Sequence, residues 1–313
     1  MTLALQVVIS GLAAGAVYGL VAIGYVLVYR LTGIVYFALG DLVGLGVFAA
    51  LLVAAGSGPV TETNVGGLRF LAALVVGTLV CILASAAAYW LAVHPHVARG
   101  SVIGWIAATI AIAYAVRSSI GVFFTRPSYV FPDPLPFREV GNGGFVGIGG
   151  ASLQVRAFFV IAVGVGLAAL ATLVLQRSKL GRGLRAIESD VEGAALVGVP
   201  VTWMVTLAFA LAGGLAALAA VVAAPSAPFG VENGSLLGVK ALLAAVVVGF
   251  ASPAAGFVAG LAVGVLESAI ANFHVAGVQL GPGYHEVLPI ALVLAVVAAR
   301  ALAARRPGLA EAA

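Results

Sequence analysis

The sequence predicts an all-α, polytopic transmembrane helical bundle of about eight or nine membrane-crossing helices, one pair of them short or broken. Three observations predict it. Of the 313 residues 63% are hydrophobic, only 8% are charged, and the apolar residues gather into runs long enough to cross a bilayer. A span needs about 20 mostly apolar residues, because about 30 Å of hydrocarbon is crossed at about 1.5 Å per residue. A mean hydropathy of +1.20 leaves too little polar surface to solvate a soluble fold.

Apolar runs bounded by charges, Gly and Pro place spans near residues 5–29, 34–56, 69–93, 101–122, 156–175, 200–224 and 286–304. The first is read as a retained helix: Met1 to Gln6 lacks the basic start of a signal peptide, and the run continues to Tyr29. The stretch from Gly238 to Phe273 is too long for one span and is interrupted at Ser252-Pro253. It therefore predicts two shorter helices or a broken one, and nine crossings if both parts span.

Orientation follows from the basic residues. Arg177, Lys179, Arg182 and Arg185 crowd one short loop, and Arg300, Arg305 and Arg306 lie at the C-terminus, which places both in the cytoplasm. Counting back puts Arg30 and Arg99 inside, and the N-terminus outside. The loop 123–155 is then external. Its Pro127, Pro132, Pro134 and Pro136, followed by six glycines from Gly141 to Gly150, predict turns and extended chain. The net charge of +4 belongs to these orientation signals, so nucleic acid is not an expected partner. Cys81 is the one cysteine, which excludes a disulfide or a thiolate metal site within a single chain.

Small residues mark where helices approach closely in lipid. Gly11, Gly15 and Gly19 recur every four residues, as do Gly256, Gly260 and Gly264. Each run lies on one helix face and is expected to pack tightly inside the subunit rather than at a subunit interface.

The polar loop 177–199 carries the densest signals. Ser189 followed by Glu192 matches a capping box, so a helix is expected to begin there. Gly198 suits the left-handed residue that ends it, and Pro200 opens the next span. A helix of about two turns would expose Ala194, Ala195 and Leu196 as a small apolar face suited to another protein's groove. The alternative is an ordinary interfacial helix.

Ionisable residues inside spans are functional candidates because they are costly there. Asp41 falls about eight residues into its predicted span, about 12 Å deep. It either accepts backbone or hydroxyl bonds or takes part in a pathway. Glu267, beside Ser268, poses the same choice. Arg117 either snorkels to the outer interface or pairs with an acid such as Glu267. His94 and His96 fall at a cytoplasmic helix end and His274 and His285 near the external surface; with no further ligands at metal spacing, they read as loop histidines. No nucleophile set indicates an enzyme. A phosphate-binding loop needs Gly-Lys followed by Ser or Thr, whereas Lys179 sits between Ser178 and Leu180, and Lys240 between Val239 and Ala241. The chain cannot hydrolyse ATP alone.

Three separated stretches carry a family resemblance: Gly15 to Tyr25, Thr32 to Asp41, and the loop from Gly181 to Gly198. They resemble the permeases of branched-chain amino acid ABC transporters, in the branch that pairs with a second, related permease. The segment Gly238 to Gly256 and Glu267 also match, and the resemblance runs from about residue 5 to 306. It implies that 1–313 is a single transmembrane permease domain in a bacterial inner membrane, with 123–155 as external loop and 177–199 as cytoplasmic coupling loop. It further implies a second permease subunit, two cytoplasmic ATPase subunits and an extracytoplasmic substrate-binding protein. This chain would bind no cofactor, ATP and Mg being used by the ATPases. Gly181, Arg182, Arg185, Ser189, Asp190, Glu192, Ala194, Ala195 and Gly198 would form the coupling element. Tyr36, Asp41 and Glu267 become candidates for the translocation path or its gate. Where the family has Asn and His, this chain has Tyr36 and Leu39, which implies a drier pore.

Two other classes compete. A proton- or sodium-coupled secondary transporter would use Asp41 and Glu267 to titrate or hold the ion at broken helices. A membrane scaffold would transport nothing. Bound ATPase subunits separate the first reading from both.

Overall fold

The computed structural model describes residues 2–55, 66–97, 102–133, 145–148, 151–272, 274–275, 278–279, 291, 295 and 298. Among these, six helices are long and apolar enough to cross a membrane, and two shorter apolar helices accompany them. The long ones are α1 (Thr2–Thr32), α3 (Gly67–Ala88), α5 (Val102–Phe123), α6 (Val155–Arg177), α9 (Val201–Ala223) and α11 (Pro253–Ala271); the short ones are α2 (Leu39–Ala55) and α10 (Asn233–Val247). Three small helices lie between them: α4 (His94–Val97), α7 (Lys179–Ser189) and α8 (Val191–Leu196). Two antiparallel hairpins are also present, β1 (Phe145–Ile148) with β2 (Ala151–Gln154), and β3 (His274–Val275) with β4 (Val278–Gln279). Of the span expected at 286–304, residues 291, 295 and 298 are described, each as helix, and the rest lies outside the described residues.

The chain breaks where its backbone chemistry changes. Gly33 (φ +67) ends α1 with its N–H on the Tyr29 carbonyl, and the Thr32 hydroxyl accepts from the Ile34 N–H. Consequently α2 starts at Leu39, not at 34, and Asp41 sits in its first turn, where the helix dipole favours a carboxylate. It is not eight residues into a helix. The predicted interruption at Ser252-Pro253 is sharp: Gly249 and Phe250 adopt positive φ, Ser252 Oγ accepts from the Ala255 N–H at 3.1 Å, and Pro253 opens α11. Phe250 is not glycine, and its ring stacks on Tyr29 at 4.0 Å while its N–H reaches the Ala245 carbonyl. Pro95 cannot donate a backbone bond, and a π-turn at Tyr89–Val93 takes up the mismatch between α3 and α4.

α1 runs through the middle of the bundle and packs against α11, α9, α10 and α6. Its glycine run meets that of α11 in antiparallel order. A methyl on Gly11 would lie 2.6 Å from Val265 Cα, one on Gly15 2.7 Å from Leu261 Cα, and one on Gly19 2.7 Å from the Phe257 carbonyl oxygen. From the other side, Gly264 abuts Gly15 and Gly260 abuts Gly19. Such backbone-to-backbone approach supplies dispersion contact where lipid provides no hydrophobic drive. A second glycine seam joins α2 to α10, where Gly40 faces Gly238 and Gly44 faces Gly234. Between the seams lies a core of Val21, Val26, Leu39, Phe48 and Phe209, all essentially inaccessible to solvent.

Candidate functional site

The polar face of the bundle is built on α7. Ser178 caps it, its hydroxyl accepting from the Gly181 N–H at 3.0 Å. Gly181 is buried so tightly against the Leu175 backbone that no Cβ fits. Leu184 and Ile187 point inward to Leu27, Leu31 and Ala208, while the charged residues face out. Arg185 donates to the carbonyls of Leu175 and Gln176 (3.0 Å to the latter), neutralising the open carbonyl end of α6. Arg182 is exposed and reaches the Arg177 carbonyl at 3.4 Å. Arg30, at the end of α1, forms an ion pair with Glu188. Thus α7 is fastened to α1 and to α6 by separate charged contacts.

The cap between α7 and α8 differs from the sequence expectation by one residue. Ser189 ends α7, its hydroxyl donating to the Arg185 carbonyl at 3.0 Å. Asp190 takes over as cap, with Oδ1 accepting from the Glu192 N–H at 3.0 Å. With Asp190 as cap the third helical position is Gly193, so Glu192 cannot complete the reciprocal half of a capping box. Gly198 (φ +85) ends the segment, its N–H on the Ala195 carbonyl and that of Val199 on Ala194. The exposed apolar face also differs: Ala194 is buried, whereas Val191, Ala195, Leu196 and Val197 are exposed, Leu196 at 87%.

Inside the bundle, charges occur in pairs. Arg117 Nε donates to Asp41 Oδ1 at 2.9 Å and Nη2 to Oδ2 at 3.3 Å. The carboxylate is nearly buried and the guanidinium one-third exposed. Arg117 therefore pairs with Asp41 and not with Glu267, which accepts from Lys240 Nζ at 2.6 Å. Lys240 Nζ also lies 5.7 Å from the centre of the Tyr18 ring. Tyr36 is fully buried with its ring 4.6 Å from that of Phe209, so it packs the core in this conformation. At the opposite end of α6 from α7, Arg156 joins Asp133 at 2.6 Å and the Val222 carbonyl at 3.3 Å. In the sequence Lys240 stands out only against the phosphate-loop pattern, and Arg156, Asp133 and Glu188 carry no motif. A lone Lys in one apolar helix and a lone Glu in the next is the available signal for the Lys240–Glu267 pair.

His94 packs its ring on Trp90 at 4.8 Å, and His96 Nδ1 lies 2.8 Å from the Ala92 carbonyl. Among the described residues no cluster of His, Cys, Asp or Glu is placed to hold a metal. Two cavities accompany the paired charges. One of about 570 Å³ lies among α1, α6, α9 and α10, at the end of the bundle holding Arg156 and Asn272. The other, about 230 Å³, lies beside Arg30, Arg185 and Glu188 at the α7 end.

Apolar helices of spanning length, knit by glycine seams and internal ion pairs and capped by an amphipathic loop helix, define a multi-pass membrane protein. The model of the branched-chain amino acid transport system permease component matches residues 7–297, and the chain belongs to that family. It is similar to the high-affinity branched-chain amino acid transport system permease protein BraD of Pseudomonas aeruginosa, with 29% identity over 303 residues covering 94% of this chain and 92% of BraD. It is similar also to LivH, described in the same words, of Escherichia coli K12 (27% over 313 residues) and of Salmonella typhimurium (25% over 313 residues), each again with 94% of this chain and 92% of the relative covered. The resemblance read from residues 32–41 and 181–198 thus holds at the level of the family. The chain is accordingly a multi-pass protein of the bacterial inner membrane and a transport permease.

Proposed function

We propose that this chain forms half of the translocation path of an ATP-driven importer for branched-chain or similar apolar amino acids. The other half is a second, related permease. Two cytoplasmic ATPases, which use the ATP and Mg, dock on α7–α8, and a substrate-binding protein delivers solute to the opposite face. In this arrangement 1–313 is one permease domain, 123–155 is external and 177–199 is the cytoplasmic coupling loop. Helices α2 and α10, with the residues beyond α11, complete the eight or nine crossings.

One observation carries the reading: a rigidly capped helix, α8, presents Val191, Ala195, Leu196 and Val197 to the outside of a chain whose sequence has no phosphate-binding loop. An exposed apolar surface beside charged residues marks a protein contact. The surrounding contacts supply the coupling. Force on α8 passes to α7 through Asp190, to α1 through Arg30–Glu188 and to α6 through Arg185. The glycine seam then moves α11 with α1, and alternation between two packed states becomes a shift in population driven by the ATPases. Within this scheme Gly181 and Gly198 allow the close approach and the reversal of chain, and Arg182, Ser189 and Glu192 flank the docking face.

The secondary-transporter alternative is weakened by the same geometry. Asp41 and Glu267 each sit against a cation, Arg117 and Lys240. Each carboxylate is thus engaged in an ion pair within the chain, rather than left open as the ligand of a transported ion. On this reading Asp41, Glu267 and Tyr36 belong to the path or its gate. Purification of the chain from its native membrane tests this reading: ATPase subunits should accompany it in mild detergent. Transport by the purified chain alone, driven by an ion gradient, would refute it.

A further inference from the structure

The 570 Å³ cavity has a size ordinary for small-molecule sites, which span about 300–1,000 Å³, and its chemistry is graded along its length. Its wall on α1 runs from Gln6 to Tyr18, about 18 Å of helix. The polar residues of the lining, Gln6, Ser10, Gln154, Asn233 and Asn272, gather at the outer end, interleaved there with Ile9, Phe145, Pro228 and Phe229. Ser10 and Ser268 share a hydroxyl bond at 2.8 Å, and Asn272 Nδ2 donates to the Ser268 carbonyl at 2.8 Å, so this rim is an organised hydrogen-bonding surface. Towards the inner end the lining becomes Val17, Val160, Ala220 and Leu237. None of the described residues lining the cavity is charged. The floor includes Tyr18, and behind its ring stands the Lys240–Glu267 pair.

This grading selects a solute. A net ion entering a cavity with no charged residue in its described lining would lose hydration without a countercharge. A net-neutral solute keeps its polar groups at the amide and hydroxyl rim, and gains by burying an apolar side against the inner wall. We propose that this cavity is a solute-loading site within the permease chain itself, taking a small zwitterion with its apolar side chain pointing inward and its ammonium and carboxylate at the Ser10, Asn233 and Asn272 rim. The proposal rests on the amino acid importer reading and adds the place, the orientation and the selecting residues. Ala157, on the α6 wall, is where added volume reduces the space for the side chain. Tyr18 closes the floor and keeps the solute from the ion pair until the helices move.

Leucine uptake by the complete transporter in proteoliposomes, with binding protein and ATP, first checks the function: without it the importer reading falls, and this site with it. Where the wild type transports leucine, Ala157→Phe should raise the KM for leucine about tenfold relative to that for alanine, the scale of a few methylenes in an apolar pocket. In a Cys81→Ser chain, Ala157→Cys should react with a small water-soluble thiol reagent, and leucine with binding protein should slow that reaction at least fivefold. The anionic analogue 4-methylpentanoate should not. The labelling decides the matter if the Phe variant fails to reach the membrane. Leucine transport in the wild type together with unaltered selectivity in Ala157→Phe, or with labelling of the Ala157→Cys variant that leucine does not slow, would overturn the assignment.

Discussion

Arg117 holds Asp41 through two hydrogen bonds of 2.9 Å and 3.3 Å, joining the C-terminal half of α5 to the first turn of α2. The carboxylate is 5% exposed, so water can do little to replace these two bonds. Arg117→Ala is expected to destabilise the protein by roughly 1–3 kcal/mol, because it leaves a buried acceptor unmet. The double variant Asp41→Asn with Arg117→Ala should recover part of that loss. Thermal unfolding in detergent measures both; equal melting of wild type and Arg117→Ala would show that the pair holds nothing together.

The seam between α1 and α11 makes a second expectation. Gly15→Leu drives a side chain into the backbone of Leu261, only 2.7 Å from where its Cβ must sit. Overpacking of this kind costs roughly 1–3 kcal/mol, and membrane abundance should fall. Gly166 lies on α6 with nothing near its absent side chain, so Gly166→Leu serves as control and should express normally. Similar abundance of the two variants would contradict the seam.

Much of this architecture is legible in the sequence. The Gly-x-x-x-Gly runs and the Ser252-Pro253 break are local signals, written in residues whose backbone chemistry acts where they stand. The start of α2 escapes the hydropathy pattern because Val35, Tyr36 and Phe37 are as apolar as a helix interior, and only the left-handed Gly33 stops the chain. The α8 cap falls on Asp190 and not Ser189 because either side chain can cap, and the choice turns on which N–H groups α7 has already consumed. Pairing of Lys240 with Glu267, or of Arg30 with Glu188, brings together residues from different helices, which no periodicity encodes. The burial of Ala194 rather than Ala195 turns on the same one-residue shift.

Docking on α8 is read out by Ala195→Arg. The position is exposed, so the substitution should leave permease abundance near normal while placing a long charge in the contact with the ATPases. ATPase subunits should dissociate, or ATP hydrolysis and uptake should fall together, by about tenfold or more, since 1.4 kcal/mol of lost contact is already a factor of ten. Ala194→Arg, at a buried site, should instead lower abundance. Unchanged assembly and uptake in Ala195→Arg would remove α8 as the coupling element.

Topology is checked by cysteine labelling in a Cys81→Ser chain. Asp190→Cys should react with an impermeant thiol reagent only after the cells are permeabilised, as the basic residues of the 177–199 loop require. Labelling of the Asp190→Cys variant in intact cells would invert the bundle, placing α7–α8 where no ATPase reaches.

Reconstituted uptake of radiolabelled leucine decides whether this permease imports apolar amino acids under the drive of partner ATPases. Uptake should need ATP, the ATPase subunits, the second permease and the binding protein together, and should persist when proton and sodium gradients are collapsed. Uptake by this chain alone, abolished by collapsing an ion gradient and indifferent to ATP, would contradict ATP-driven import.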